Sequence, residues 1–317
     1  MTDSGMKHPV LVILSFSILM GISCGPRDNS SGKTSGLPLQ ASSPSRDATA
    51  ENMRIVNFPD VSGQPTGMLY IRDIGSTDDE AWQRLGYAMG EVPVPANKEL
   101  QLQIETGPWE VVDLSLLDNL RPDDLQGIVL FNTRTTDDDL MHMERLTSLS
   151  ALDLRLTQVT AAGLPRLRKI TSLKILRLGS GVTDTGLPHI KVLSALESLE
   201  LEHCRITDTG IRQVCDLSSL RALSFSYTQI GDDGVANVAC FGFLQALNME
   251  GTAITDRGLS SLKNLASLQT LNLHLTKITD QGLPHLRTIH CLQKLNLSDI
   301  SDTQISDVGL VRFIPGT

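Results

Sequence analysis

From Leu125 onward the apolar positions return at a fixed interval. Leucines open successive units at Leu125, Leu149, Leu173, Leu196, Leu220, Leu244, Leu268 and Leu292, in steps of 24, 24, 23, 24, 24, 24 and 24 residues. Each unit begins L-x-x-L-x-L. That alternation predicts a short strand with both leucines on one face and the x residues on the other. A Thr-x-Ile segment then turns the chain inward. Next comes Gly-Leu-x-x-Leu-x-x-Leu, as at Leu259, Leu262 and Leu265, which lines one side of a short helix with apolar residues. A single coil of this kind leaves the top and bottom of its aliphatic layer in water. Stacking coils buries both, and each fully buried Leu contributes about 1.5–3 kcal/mol. Parallel strands stack ~4.8 Å apart and helices are wider, so the stack curves with its strands on the concave side. The fold class expected is an α/β solenoid, with parallel strands on the concave side and short helices on the convex side.

The clearest unit runs from Leu268 through Leu273, Thr276, Ile278, Thr279, Asp280 and Gly282 to Leu283. The units starting at Leu196 and Leu244 match it nearly slot for slot. This L-x-x-L-x-L-x-x-T-x-I-T-D-x-G-L pattern resembles the leucine-rich-repeat family, and the resemblance covers roughly two thirds of the chain. It implies a binding scaffold rather than an enzyme, one that presents a variable polar surface to a protein or a glycan. Many members carry Asn where this chain has the column Thr133, Thr157, Cys204, Thr228, Thr252, Thr276 and Thr303. Hydroxyls there are expected to satisfy backbone groups in the turn. A second column is Asp137, Asp184, Asp208, Asp232, Asp256, Asp280 and Asp307. Its carboxylates are expected to take the free N–H groups of the first helical turn beside them. The third is Gly163, Gly186, Gly210, Gly234, Gly258, Gly282 and Gly309, expected where helix and turn approach closely.

Two units are irregular. The third lacks one residue around Gly179–Gly181, and the eighth carries three extra residues between Ser298 and Asp302. No polar capping unit follows the eighth. Terminal repeats usually need one, so the C-terminal end is a candidate for self-association.

The first third of the chain reads differently. Val10 to Ser23 is an apolar run of 14 residues behind Lys7, short of the ~20 residues of a membrane span and suited to a secretory signal. It closes in Leu19-Met20-Gly21-Ile22-Ser23-Cys24, which resembles a bacterial lipoprotein signal with Cys24 as the lipid-bearing first mature residue. Gly21 stands where that signal prefers Leu, and ordinary cleavage is the alternative. The start is Met1 or Met6. Residues 25–52 are rich in Ser, Gly and Pro and read as a flexible tether. In 53–112, Met68–Ile71 reads as a strand, and Val92/Val94 and Leu100/Leu102/Ile104 read as a hairpin about Ala96-Asn97-Lys98. Pro93 and Pro95 confine that strand to an edge. The division expected is a signal over 1–24, a tether over 25–52, a small β-rich cap over 53–112 and eight repeats over 113–317.

Composition narrows the function further. Aromatics are only 4% of residues, so leucine supplies the core, and the formal charge of -9 disfavours nucleic acid, which selects basic stripes. Cys204, Cys215, Cys240 and Cys291 lack metal-ligand spacing. They read as small buried hydrophobes, with Cys215 and Cys240, in adjacent units, the one pair placed to bridge. No nucleophile–base set or phosphate loop is present, and no cofactor is implied. His203 and His274 share the concave side but lie three units apart, ~14 Å by strand spacing, too far to share a metal. Function therefore rests on the concave face. The residues proposed there to meet a partner are Arg155, Arg177, Glu200, Glu202, Asn248, Glu250 and His274. The aromatics Phe131, Phe225 (a strand core slot) and Tyr227 lie nearby. The expectation is a lipid-anchored scaffold of the bacterial envelope, facing the periplasm or the exterior.

Overall fold

The computed structural model describes residues 52–59, 65–76, 81–104 and 112–297. The signal, Cys24, the tether up to residue 51, and the eighth unit's insertion and C-terminal end lie outside them.

Eight three-residue strands follow the leucine pattern: β6 (Gly127–Val129), β7 (Ala151–Asp153), β8 (Ile175–Arg177), β9 (Ser198–Glu200), β10 (Ala222–Ser224), β11 (Ala246–Asn248), β12 (Thr270–Asn272) and β13 (Lys294–Asn296). All eight are parallel neighbours in sequence order. Leu199, Leu223, Leu247 and Leu271 sit directly opposite one another across β9–β12. The 24-residue interval therefore becomes register. Each strand is short because the chain turns sharply a few residues later. Asn132, Leu156, His203, Tyr227, Gly251 and Leu275 occupy that bend with positive φ between 54° and 64°.

Opposite the strands run short helical segments. They include α1 (Leu187–Ile190), α2 (Asp208–Arg212), α3 (Asp232–Val238), α4 (Asp256–Leu259) and α5 (Leu283–Leu286), with 3-10 turns elsewhere. None could persist alone in water. Their apolar residues, such as Ile211, Val235, Leu259 and Leu283, are buried against the strand leucines. The interior is one continuous cluster from Val56 to Ile289, filled by neighbouring coils sharing each layer.

Preceding the repeats are β1 (Met53–Phe58), β2 (Met68–Asp73), β3 (Gln83–Tyr87), β4 (Gly90–Pro95) and β5 (Lys98–Gln103). The hairpin expected between β4 and β5 does not form. β5 is antiparallel to β2 and parallel to β6, so both its edges are occupied. β4 pairs instead with β1 in a separate two-stranded sheet, where Pro93 and Pro95 lie on an edge strand, as missing N–H groups require. Through β5 the N-terminal strands continue the repeat sheet, which reaches 11 strands.

The threonine column behaves as expected. Thr133, Thr157, Thr228, Thr252 and Thr276 each donate their hydroxyl to the carbonyl three residues back. Cys204, in the same slot, points its thiol at the Gly179 carbonyl of the preceding unit.

The aspartate column does not cap its own helix. The carboxylates of Asp137, Asp184, Asp208, Asp232 and Asp256 reach the next coil. Asp137, Asp184, Asp232 and Asp256 accept the backbone N–H of Thr160, Thr207, Thr255 and Thr279 at 2.7–2.9 Å. Their second oxygen takes the same threonine's hydroxyl at 2.5–2.7 Å. Asp208 likewise accepts from the Gly231 N–H. A charged acceptor is thus shared between coils, and these five helix starts are held by the preceding coil.

That reach explains the glycine column. A Cβ on Gly234 or Gly258 would lie 2.5 or 2.6 Å from Oδ1 of Asp208 or Asp232, and one on Gly163, Gly210 or Gly282 would collide with Asp137, Asp184 or Asp256. The first repeat has Asp139 in the glycine slot. There Asp139 itself accepts from the Thr136 N–H and hydroxyl, the bonds that a preceding aspartate makes elsewhere.

Cys215 and Cys240 are joined as a disulfide, with Cα atoms 5.6 Å apart. The bridge links the residues just beyond α2 and α3. The reading of these two as separate buried hydrophobes is therefore corrected: adjacent coils bring neighbouring positions beyond their helix ends within bridging range. Cys204 is a free, buried thiol.

Candidate functional site

The outward x positions of the strands form columns down the sheet. Asp153, Arg177, Glu200, Ser224, Asn248, Asn272 and Asn296 make one, and Arg155, Glu202, Ser226, Glu250 and His274 lie in the next. Strand spacing places successive members close enough for their side chains to cover one another. Asp153, Glu200, Ser224, Ser226 and Asn248 are consequently buried although they point away from the core.

Three of the seven residues proposed from sequence are drawn into one ionic network. Arg155 forms a forked pair with Asp153, its Nη2 2.6 Å from the carboxylate, and a second ion pair with Glu200 at 3.4 Å. Arg177 Nε meets Glu200 at 2.8 Å. Burial acts to lower the Arg155 pKa, but the bonds and charge of Asp153 outweigh it and leave it raised. Burial raises the Glu200 carboxyl above its usual value, against the pull of Arg177 and Arg155. Two positive and two negative groups close on themselves here. Such a network fixes geometry across three units and offers a ligand little uncompensated charge. Arg155 also lies 5.5 Å from the ring of Phe131.

The other four lie in units four to seven, in a different arrangement. Glu202 accepts from the Ser224 hydroxyl at 3.2 Å. Glu250 accepts from Tyr227 Oη at 2.8 Å and Asn272 Nδ2 at 3.0 Å, with His274 Nε2 at 3.9 Å. Asn248 turns its carbonyl to the Glu250 N–H and is buried, so it supports the glutamate instead of facing solvent. Tyr227, 42% exposed, stacks on His203 with centroids 4.8 Å apart and planes 12° from parallel. A Cβ on Gly251 would lie 2.5 Å from the Tyr227 ring, so that glycine lets the ring lie flat along the edge. The hydrogen bond to Glu250 raises the Tyr227 pKa. Burial, with Glu202 nearby, pushes the Cys204 thiol up to about 12. This cluster is acidic, aromatic and partly open to solvent.

The His203–Tyr227 stack was not legible from composition. Its signal lay in the register: both residues fill the slot before the threonine column in consecutive units. Among the described residues no group of three or more His, Cys, Asp or Glu side chains is placed to hold a metal. Two shallow grooves lie away from the strand face. One, of about 490 Å³, includes Lys174, Glu197, Arg221 and Phe243. The other, of about 410 Å³, is on the helix side and is lined by Glu144, Pro165, Arg166, Arg168, Lys169 and Val192.

Eight parallel strands, backed among the described residues by short helical segments, define a solenoid repeat scaffold. The Leucine Rich repeat family matches residues 193–215, 216–239 and 243–263. With this register carried through all eight strands, the fold is that of a leucine-rich-repeat solenoid. Among solved structures, an internalin from Listeria monocytogenes aligns at 27% identity and TM-score 0.48, covering 63% of this chain and 61% of that one. The chain thus spans less than two thirds of that internalin. Internalin C2 from the same organism aligns at 24% identity and TM-score 0.50, over 62% of this chain and 80% of that one. No curated protein sequence matches the chain.

Proposed function

We propose that the protein is a non-enzymatic binding scaffold of the bacterial envelope. It is exported, held by a lipid on Cys24, and recognises a protein or glycan through its strand-side face. The observation that carries this reading is the contrast between two sets of positions. Core slots hold Leu or Ile almost without change, while the outward slots vary from Arg and Asp to Glu, Ser, Asn and His. Within that face, the Asp153–Arg155–Glu200–Arg177 network is the rigid support. Glu202, Glu250 and His274, with Tyr227 and His203, are the surface offered to a partner. Aromatic side chains flanked by polar groups are typical anchors of such interfaces. A Cys215–Cys240 bridge suits an oxidising compartment outside the cytoplasm. No helix among the described residues is long and apolar enough to cross a membrane.

The test is site-specific photo-crosslinking in intact cells. A crosslinking residue is placed at Glu202, at Glu250, and at Lys263 on the helix side as a control. The expected result is an adduct to one macromolecule other than the protein itself from the two strand-side positions, and none from the control. Adducts only to further copies of the chain would favour a structural, self-associating role. Adducts only from position 263 would refute the assigned face.

A further inference from the structure

We propose that the helix side of the first three repeats docks the folded domain onto an anionic lipid bilayer. This takes the envelope reading above as its setting. The chain carries a net charge of -9, yet Arg145, Arg166, Arg168, Lys169 and Lys191 gather on the helical segments at 139–143, 164–169 and 187–190 and the residues that follow them. Glu144 pairs with Arg166 at 3.2 Å and Lys169 at 2.7 Å. Among the described residues no carboxylate forms an ion pair with Arg145, Arg168 or Lys191, and all three are exposed. Arg166 also meets Asp138 at 3.9 Å; with Asp138, Asp139 and Glu144 set against the five cations the patch keeps a net positive charge, which an anionic surface complements.

Two further features select a bilayer over a soluble polyanion. Met141 and Val192 lie among these cations and are 50% and 37% exposed, and Pro165 is exposed beside them. Apolar side chains between long cationic ones can enter the headgroup boundary while the cations stay at the phosphates. The second feature is where the N-terminal end of the fold lies. The described chain begins at Asn52, and β1 packs against the 3-10 turn Leu114–Asn119. Asp118 of that turn holds His142 at 2.9 Å, and its carbonyl accepts from Arg145 at 3.4 Å. The tether thus meets the fold one segment away from the patch. Asn52 follows Cys24 by 28 residues in the sequence, so an anchor on Cys24 would hold this end of the fold near the bilayer.

The experiment is vesicle flotation of the full chain, on phosphatidylcholine alone and on phosphatidylcholine with phosphatidylglycerol, at low and high salt. The wild type should bind anionic vesicles in excess of neutral ones, and salt should abolish the excess. A cation near an anionic surface is worth about fivefold in affinity. Arg145→Ser, Arg168→Ser and Lys191→Ser combined should therefore weaken the anionic excess by ~100-fold, with binding to neutral vesicles and the far-UV CD spectrum unchanged. An anionic excess without any neutral binding would support the patch while removing the Cys24 anchor. A triple variant that keeps the excess would overturn the proposal. So would capture of the wild type by soluble dextran sulfate but not by anionic vesicles.

Discussion

Gly210→Ala tests the inter-coil aspartate directly. Gly210 lies inside α2, where replacing Gly by Ala would ordinarily gain about 1 kcal/mol of helix propensity. Here the new methyl collides with Oδ1 of Asp184 and lies 2.7 Å from Ile206 Cγ2. Asp184 is held by the Thr207 N–H at 2.9 Å, by the Thr207 hydroxyl and by the Thr209 hydroxyl at 2.9 Å. Relief of the overlap requires the carboxylate to withdraw. Overpacking costs about 1–3 kcal/mol, and hydrogen bonds to a charged acceptor are worth about 1.5–3 kcal/mol each. The net expectation for Gly210→Ala is a loss of about 2–4 kcal/mol. Asp184→Ala alone should cost about 2 kcal/mol. In the double variant the main collision is gone, so the two losses should fall short of their sum by at least about 1 kcal/mol. Urea unfolding followed by far-UV CD measures all four proteins, with equal slopes as the check that the transition keeps its character. Additive losses would refute the claim that glycine is required there by the neighbouring unit's carboxylate.

Other consequences are open to simpler assays. Burial works to raise the Asp232 carboxyl, but the Thr255 N–H and hydroxyl and Arg257 outweigh it and hold it below 3.8. A carboxyl with a lowered folded-state pKa stabilises above its unfolded value and loses that contribution as pH falls through the folded one. Asp232→Asn should therefore lower the urea midpoint at pH 7, and the gap to wild type should close below about pH 4. Cys204, with its thiol pushed up to about 12, should resist thiol reagents in native protein and react at once in urea; native labelling at neutral pH would contradict its burial. Reducing the Cys215–Cys240 bridge, which closes a sequence separation of 25, should cost about 3 kcal/mol, and a dithiothreitol-independent midpoint would show that the bridge adds nothing. Glu200→Ala removes the buried carboxylate that Arg177 Nε and Arg155 Nη1 meet and should destabilise by about 3–5 kcal/mol; a neutral effect would mean the network is not buried as described.

What the sequence disclosed followed from how local each cause is. Strand register was legible because one number, the 24-residue interval, places Leu199, Leu223, Leu247 and Leu271 side by side. The threonine hydroxyls were legible because their acceptors lie three residues away. The aspartates were misassigned because recurrence shows that a residue matters without showing which coil it serves. Asp184 and Gly210 are one device spread over two units. β4 and β5 were recognised as strands, but their partners depend on which edges remain free, a question alternation cannot answer. The same limit held for the proposed binding face. Its columns were readable, yet nothing in Arg155, Arg177 and Glu200 as letters distinguishes a self-neutralised network from a free surface. Glu202 and Glu250 gained their setting only when Tyr227 and His203 were seen stacked beside them.

The assignment of the strand-side edge as the recognition surface can be measured in place by hydroxyl-radical footprinting, comparing intact cells with purified protein. Tyr227 and His203 should be strongly modified in the purified chain and shielded in the envelope, while exposed Phe243 on the turn side reacts equally in both. Equal modification of Tyr227 and His203 in the two preparations would contradict the account.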